Sequence, residues 1–347
     1  MIRILSSDIL IADVITKTQG NPRLMALVEK YQLKMGGKVA IDRAAYEAFK
    51  HALQGHETIV LPGGSSANTL TTLSKLLPDA VDIYFLGVLG SDAAATMIRT
   101  SLEETRITLL PEQCAGNEAP QAATSFVMVF LDGQRTIATY PGNARALLLP
   151  EMITDALVQR VDAALIQGSL WMKMGAAYAD RLLGLCQRFG KKIWLALPTY
   201  SMSSGAHADT FRTVIAAADM VLGNEEELSR IYHCTAPEAL AQLQATLNGK
   251  VGFITHGAEG ASLVTEAGIE AIAPLSVSPH AIVNTLGAGD TAFAGFLAGH
   301  ICGKTPRQSA EIAMALASAK LAINGARLPD PTQALKTILG KSLSVTN

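Results

Sequence analysis

The chain has 347 residues, 49% of them hydrophobic, with a formal net charge of −2 and four cysteines. That is enough apolar material for one large α/β domain or two medium ones, while the near-neutral charge argues against a polyanion-binding surface and so against nucleic acid as a partner. No apolar run reaches the roughly 18 residues of a spanning helix, and Cys114, Cys186, Cys234 and Cys302 form no CxxC pair, which argues against disulfides and a thiolate metal site.

At the start, "MIRILSSDILIADVITK" reads as a buried first strand and not as a leader, because Asp8 and Asp13 interrupt it and no small-residue cleavage site follows. A cytoplasmic protein with no membrane partner is expected. From about Ile15 to Ala40 the chain is polar, contains glycine and shows little helical period. Strand–helix alternation then sets in: "ETIVLPG" before "SSANTLTTLSKLL", "DIYFLGVLG" before "AAATMIRTSLEET", "DAALIQG" before "YADRLLGLCQRFG". It continues through "KKIWLAL", "ADMVLGN" before "EEELSRIY", and "KVGFITHG". Such alternation predicts a mostly parallel sheet with helices on both faces. "ATSFVMVFLDGQRTIATY" interrupts it with two β-rich runs around Asp132-Gly133, the signature of a hairpin. The two interruptions predict a small second sheet, either a lid or an ordinary edge hairpin.

Two stretches near the C-terminal end compete as a phosphate site. "GHICGKT" has three residues between Gly299 and Gly303 where a Walker A loop needs four, and it ends an apolar helical run. Gly303 is expected as a helix C-cap and Pro306 as the start of the next helix. "NTLGAGDTAFAGF" (Asn284 to Phe296) instead follows "HAIVNT", a run with strand character, and opens a helix. There the N–H groups of Gly287, Ala288 and Gly289, with the helix dipole behind them, suit an anion whose charge must be held during transfer. Asp290 beside them is placed to take a proton from an attacking hydroxyl, or else caps its helix.

Three further stretches matter. "LPGGSSANTL" puts Gly63 and Gly64 after a strand and Asn68 at the start of a helix, as a contact surface for a hydroxyl-bearing ligand or as a plain turn. "LGNEEEL" ends a strand at Asn224 and Glu227, which could orient water around Mg²⁺ or simply form an acidic first turn. "THGAEG" follows a strand and lets backbone approach a nucleotide. The seven histidines show no HExxH or HxxxH spacing.

Together and in this order, these stretches resemble the ribokinase-type (PfkB-type) carbohydrate kinases, over nearly the whole chain. "GGSSANT" resembles the family's glycine-pair signature, "NTLGAGDTAFAGF" its DTxGAGD signature, "NEEE" its NxxE motif and "THGAEG" its TxGxxG stretch. The resemblance implies one ribokinase-like α/β domain over 1–347, a three-layer sandwich with a small β-sheet lid formed by segments about 14–41 and 119–141. It implies ATP and Mg²⁺ as cofactors and a small molecule, nucleoside or sugar, as partner, in a monomer or homodimer. It implies Asp290 as the base, Gly287, Ala288 and Gly289 as the anion hole, and Asn224 and Glu227 near Mg²⁺, through water, and the ATP phosphates. Thr255, Gly257 and Gly260 would border the nucleotide; Asp13, favoured over Asp8, with Gly63, Gly64 and Asn68 would hold the acceptor. Arg135 in "DGQRT" resembles a lid arginine that reaches toward phosphate. Relatives open the C-terminal signature with an acid that helps bind K⁺; here Asn284 stands in that place, which predicts a weaker dependence on K⁺.

"LKMGGKVAIDRAAYEAF", "PGGSSANT" and "RTIATYPGNAR" resemble the adenosine kinase branch, so adenosine is the first expected acceptor and a free sugar (ribose, fructose or a keto-deoxy acid) the second. Trp171 is a candidate for stacking on a base and equally a core residue. A catalytically idle binding protein on the same fold is the alternative of another class.

Overall fold

The computed structural model describes residues 1–35, 37–110, 121–131, 135–142, 148–198, 207–340 and 343. The first apolar run forms two strands instead of one. β1 (Ile2–Ser7) joins the main sheet and β2 (Ile11–Lys17) joins a second sheet. The break falls at Asp8, whose side chain accepts from the Ile9 N–H at 2.8 Å and so stabilises a turn.

The segment expected to lack helical period contains α1 (Pro22–Lys30). Asn21 caps it, accepting from the Leu24 N–H at 2.9 Å, and Pro22 occupies the first position. Its apolar face is short, Leu24 and Val28 with Leu27 at the margin, and the polar residues between them dilute the pattern. β3 (Lys38–Ala40) and α2 (Arg43–Ala52), capped by Asp42, follow. β4 (Thr58–Gly63) and α3 (Ser65–Leu76) also form as read, but β4 pairs antiparallel with β2 in the second sheet. The reason lies in its exposure. Ile59 and Val60 are 41% and 44% accessible, whereas a central strand of a covered parallel sheet is buried on both faces.

The rest follows in order: β5 (Val81–Leu86), α4 (Ala93–Glu103), β6 (Ile107–Leu110), and the antiparallel pair β7 (Ala123–Val129) and β8 (Arg135–Tyr140). The Asp132-Gly133 turn, Cys114 and positions 119–120 lie outside the described residues. Next come α5 (Asp155–Gln159), β9 (Ala163–Gln167), α6 (Leu170–Lys173), α7 (Ala176–Arg188), β10 (Lys192–Ala196) and α8 (Ala208–Ala217). β11 (Met220–Asn224), α9 (Glu225–Tyr232), α10 (Ala236–Leu247), β12 (Val251–Thr255), β13 (Ala261–Thr265) and β14 (Gly268–Ile272) continue it. α11 (Ala288–Ile301), α12 (Pro306–Leu321) and α13 (Pro331–Leu339) close it.

The main sheet has nine strands in the order β14-β13-β12-β11-β10-β9-β1-β5-β6, parallel from β12 to β6 with β13 and β14 antiparallel at one edge. One core lies between this sheet and α3, α4, α11, α12 and α13; the other lies under α6 to α10. This is the expected sandwich. The second sheet runs β3-β8-β7-β2-β4 and carries α1 and α2 on one face, over Phe126, Met128 and Ala138. Between α11 and α12, Gly303 takes φ +70°, its N–H donates to the His300 carbonyl, and the Lys304 N–H donates to that of Gly299, each at 3.0 Å. That closed C-cap, with Pro306 opening α12, is the helix end read from "GHICGKT". Among the described residues, no helix is long and apolar enough to cross a membrane.

Candidate active site

Parallel strands deliver their carboxyl ends to one edge, where ligands collect in open α/β sheets. Asn224 and Thr255 sit there side by side, paired across β11 and β12. Asn224 caps α9 in a reciprocal box: its Oδ1 accepts from the Glu227 N–H at 2.9 Å, and Glu227 Oε2 accepts from the Asn224 N–H at 3.1 Å. Burial pushes the Glu227 carboxyl up to about 8, against the pull of those bonds, and the Asp290 charge adds to the rise. The two acids are therefore within electrostatic reach.

Thr255 Oγ1 donates to the Gly223 carbonyl at 3.3 Å. Gly257 opens a single 3₁₀ turn that Gly260 closes at φ +100°, and the Gly260 carbonyl accepts from the His256 N–H at 2.8 Å. The His256 ring ties this turn down, with Nδ1 at 2.7 Å from Glu225 Oε2 and Nε2 at 2.7 Å from Ser262 Oγ. The sequence reading missed this chain, since nothing local links the three residues.

The run "HAIVNT" is not a strand, contrary to expectation. Pro279–Ala281 form a 3₁₀ turn, and residues 282–285 after it have no regular structure, with the Val283 N–H on the Leu321 carbonyl at 2.8 Å. Ile282 and Val283 are too exposed for a sheet interior. Gly287 then caps α11 at φ +73°, where a Cβ would run into the Ala326 carbonyl, so the turn requires glycine. The Ala288 N–H makes a long 3.3 Å bond to the Thr285 carbonyl, while Gly289 is open to solvent with nothing near its Cα hydrogens.

Asp290 is the third residue of α11 and does not cap it. Its carboxylate turns to α3, accepting from Asn68 Nδ2 at 2.9 Å and from the Ser65 hydroxyl. Burial raises its pKa to about 6, countered by Asn68 and Ser65, raised further by Asp8 and lowered by Arg327. Asn68 is 4% exposed, and its Oδ1 accepts from Arg327 Nε at 2.9 Å. Arg327 Nη1 donates to Ser101 Oγ at 3.1 Å, and its Nη2 is buried without a partner among the described residues. Burial pulls this guanidinium down to about 10 against the attraction of Asp13 and Asp290. Arg327 was not singled out in the sequence, because an arginine in "NGARLPD" looks like any loop arginine.

The face of the second sheet turned away from α1 and α2 closes the group. Asp13 on β2 stands level with Ser125 on β7, whose hydroxyl lies 3.0 Å from that of Thr139 on β8; Arg135 shares that face by the strand's two-residue period. The Asp13 carboxylate fills the space where a Cβ on Gly63 would be, and Gly64 abuts the Ile9 carbonyl. Burial raises Asp13 to about 6, with Lys38, Arg327 and Arg135 pulling it down and Asp290 pushing it up. Asp8 lies within electrostatic reach of Asp290, and Lys173 Nζ is 2.7 Å from its Oδ1. Trp171 is core: it is 5% exposed, packs edge-on against Phe211 and donates from Nε1 to Asp180 at 2.7 Å.

Asp13, Asn68, Asp290, Glu227, Arg135 and Arg327 thus converge, from five elements and one loop, on the first turn of α11. The pfkB family carbohydrate kinase model matches residues 25–333. The chain belongs to the PfkB family. It is 26% identical to the ribokinase of Arabidopsis thaliana over 80% of this chain and 72% of the relative. It is 23% identical to the adenosine kinase of Dictyostelium discoideum over 89% of this chain and 95% of the relative. The adenosine kinase structure from Sinorhizobium meliloti superposes with a TM-score of 0.82 at 20% identity, over 97% of this chain and 98% of that one. PfkB-family kinases are ATP-dependent phosphotransferases acting on sugars or nucleosides, generally with Mg²⁺, and the ribokinase-like fold here is theirs.

The donor set suits such a metal. Glu227 Oε2 is held by the Asn224 N–H, and its carboxyl and the Asn224 amide oxygen are hard oxygen ligands of the kind that would bind a hydrated Mg²⁺ through water. Among the described residues no cluster of three or more acidic, histidine or cysteine side chains is placed to hold a metal ion.

Proposed function

We propose that this chain moves the γ-phosphoryl group of ATP to a hydroxymethyl group of a nucleoside, adenosine first, giving AMP. One observation carries the mechanism: the Asp290 side chain turns to α3 and is held by Asn68 and Ser65, one residue after the exposed Gly289. In this reading Asp290 takes the acceptor proton while the first amides of α11, Ala288 included, receive the transferring phosphoryl group. Asp13 and Asn68 orient the acceptor hydroxyls against Gly63 and Gly64. Asn224 and Glu227 would hold a Mg²⁺ through water, which would supply positive charge against the ATP phosphates, and the turn from Thr255 through Gly257 to Gly260 lies along the nucleotide. The five-stranded sheet acts as the lid, with Arg135 on its inner face reaching the phosphate and water kept out. The setting is cytoplasmic and the working unit a monomer or homodimer.

The adenosine choice rests on the strand–helix insert of β3 and α2 and on the likeness to adenosine kinases. A free sugar is the second reading, favoured by Trp171: the aromatic that would stack on a base is locked in the core. The test is ATP consumption with Mg²⁺ over a panel of nucleosides and sugars, with Asp290→Asn alongside. Turnover of adenosine that falls at least about 10²-fold in the variant supports the full reading. Turnover of a sugar alone moves the acceptor to the second reading; ligand binding with no turnover of any acceptor rejects the kinase.

A further inference from the structure

Lys320 has no part in the chemistry above, yet it is 0% exposed. It lies in the last turn of α12, where a lysine ordinarily reaches solvent while facing the helix carbonyls. Here the ammonium is folded inward. Its Nζ donates to the Ile323 carbonyl at 2.9 Å and to Asn284 Oδ1 at 3.2 Å, two neutral oxygens. Burial pulls its pKa down to about 8, with Arg135 adding to the fall, so it is still charged at neutral pH.

Those two oxygens belong to the segments that shape the anion turn. Asn284 Oδ1 also accepts from the Leu286 N–H at 3.0 Å, and Asn284 Nδ2 donates to Asn324 Oδ1 at 3.0 Å. The chain after Ile323 brings the Ala326 backbone against Gly287 and Arg327 onto Asn68. One ammonium therefore pins the approach to Gly287 from one side and the loop behind it from the other. A monovalent metal ion needs the same ligands, carbonyl and amide oxygens. Any such ion on Asn284 Oδ1 would face the Lys320 charge a few ångströms away, and among the described residues no acid is paired with Lys320 to offset it, so the residues present do not fit K⁺.

We propose that Lys320 is a built-in cation: a positioning residue that holds the 284–287 turn and the first amides of α11, in the role a bound K⁺ would otherwise have. Its effect on turnover rests on the kinase reading; its effect on the fold does not. The experiment measures melting temperature, and kcat and KM with MgATP and the acceptor found above, in KCl, NH₄Cl and choline chloride at equal ionic strength. Wild type is expected to keep kcat within about twofold and an unchanged melting temperature across the three salts. Lys320→Ala, which opens space at the same oxygens, is expected to lose at least tenfold in kcat with the acceptor KM little changed. It should recover in K⁺ or NH₄⁺ but not choline, and melt several degrees higher in those two salts. Lys320→Met fills the space without charge and should show no rescue. Wild type activated tenfold by K⁺ over choline overturns the proposal, as does a Lys320→Ala protein indifferent to the cation in both rate and melting. Should Lys320→Ala not fold, the double variant Asn284→Asp/Lys320→Ala must fold and melt in a K⁺-dependent manner. If no acceptor turns over, the kinase reading fails and the melting series alone decides Lys320.

Discussion

Arg327 makes the sharpest test of how Asp290 is held. Replacing it with Gln removes the charge-assisted bond from Nε to Asn68 Oδ1 at 2.9 Å and the bond to Ser101, and leaves Asn68 free to rotate away from Asp290. A hydrogen bond to a charged group contributes about 1.5–3 kcal/mol. If that constraint is felt in the transition state, kcat falls about 10- to 100-fold, at roughly tenfold per 1.4 kcal/mol. A second readout separates this from general damage. Arg327 lowers the pKa of both Asp290 and Asp13, each raised by burial to about 6. A base must be ionised, so kcat/KM in wild type should fall as pH drops through about 6, and in Arg327→Gln that limb should move upward. The assay is kcat/KM from pH 5 to 9 on folded protein verified by circular dichroism. A limb that stays in place with kcat within twofold of wild type refutes the relay from Arg327 through Asn68 to Asp290. A rate loss that only tracks lost folded protein refutes it too.

Asp290→Asn should inactivate and stabilise at once. The folded carboxyl sits near 6 against an ordinary 3.8, so the stability favouring its neutral form is present below about pH 4 and lost as pH rises through about 6. Removing the charge should gain up to about 3 kcal/mol in urea unfolding at pH 7, and nothing at pH 4. Gly287→Ala must either abandon φ +73° or push the Ala326 backbone, costing about 1–3 kcal/mol by the same unfolding assay and at least tenfold in kcat. Glu227→Gln should raise the Mg²⁺ concentration for half-maximal rate about tenfold or more with the acceptor KM unmoved, read from a Mg²⁺ titration; an unchanged titration removes Glu227 from the metal's surroundings.

Local patterns made much of this protein legible. Alternating apolar runs and helical patterns gave the covered parallel sheet, because a strand buried on both faces must be apolar throughout. The glycine-flanked turn before Asp290 was readable because a helix start with bare amides needs those residue types in that spacing. The Gly303–Pro306 helix end was readable for the same reason. What the one-dimensional pattern could not carry was which sheet a strand joins: "ETIVLPG" and the second half of the first apolar run look like main-sheet strands, and only their partners and exposure separate them. "HAIVNT" has β-branched residues but, among the described residues, pairs with no strand, and "NPRLMALVEK" hides a helix whose apolar face is two residues deep. Arg327 and Lys320 were invisible for a further reason. An exposed and a buried cation are the same letter, and their roles arise from contacts 259 and 36 residues apart in the chain, with Asn68 and Asn284, that exist only after α11, α12 and α3 have packed.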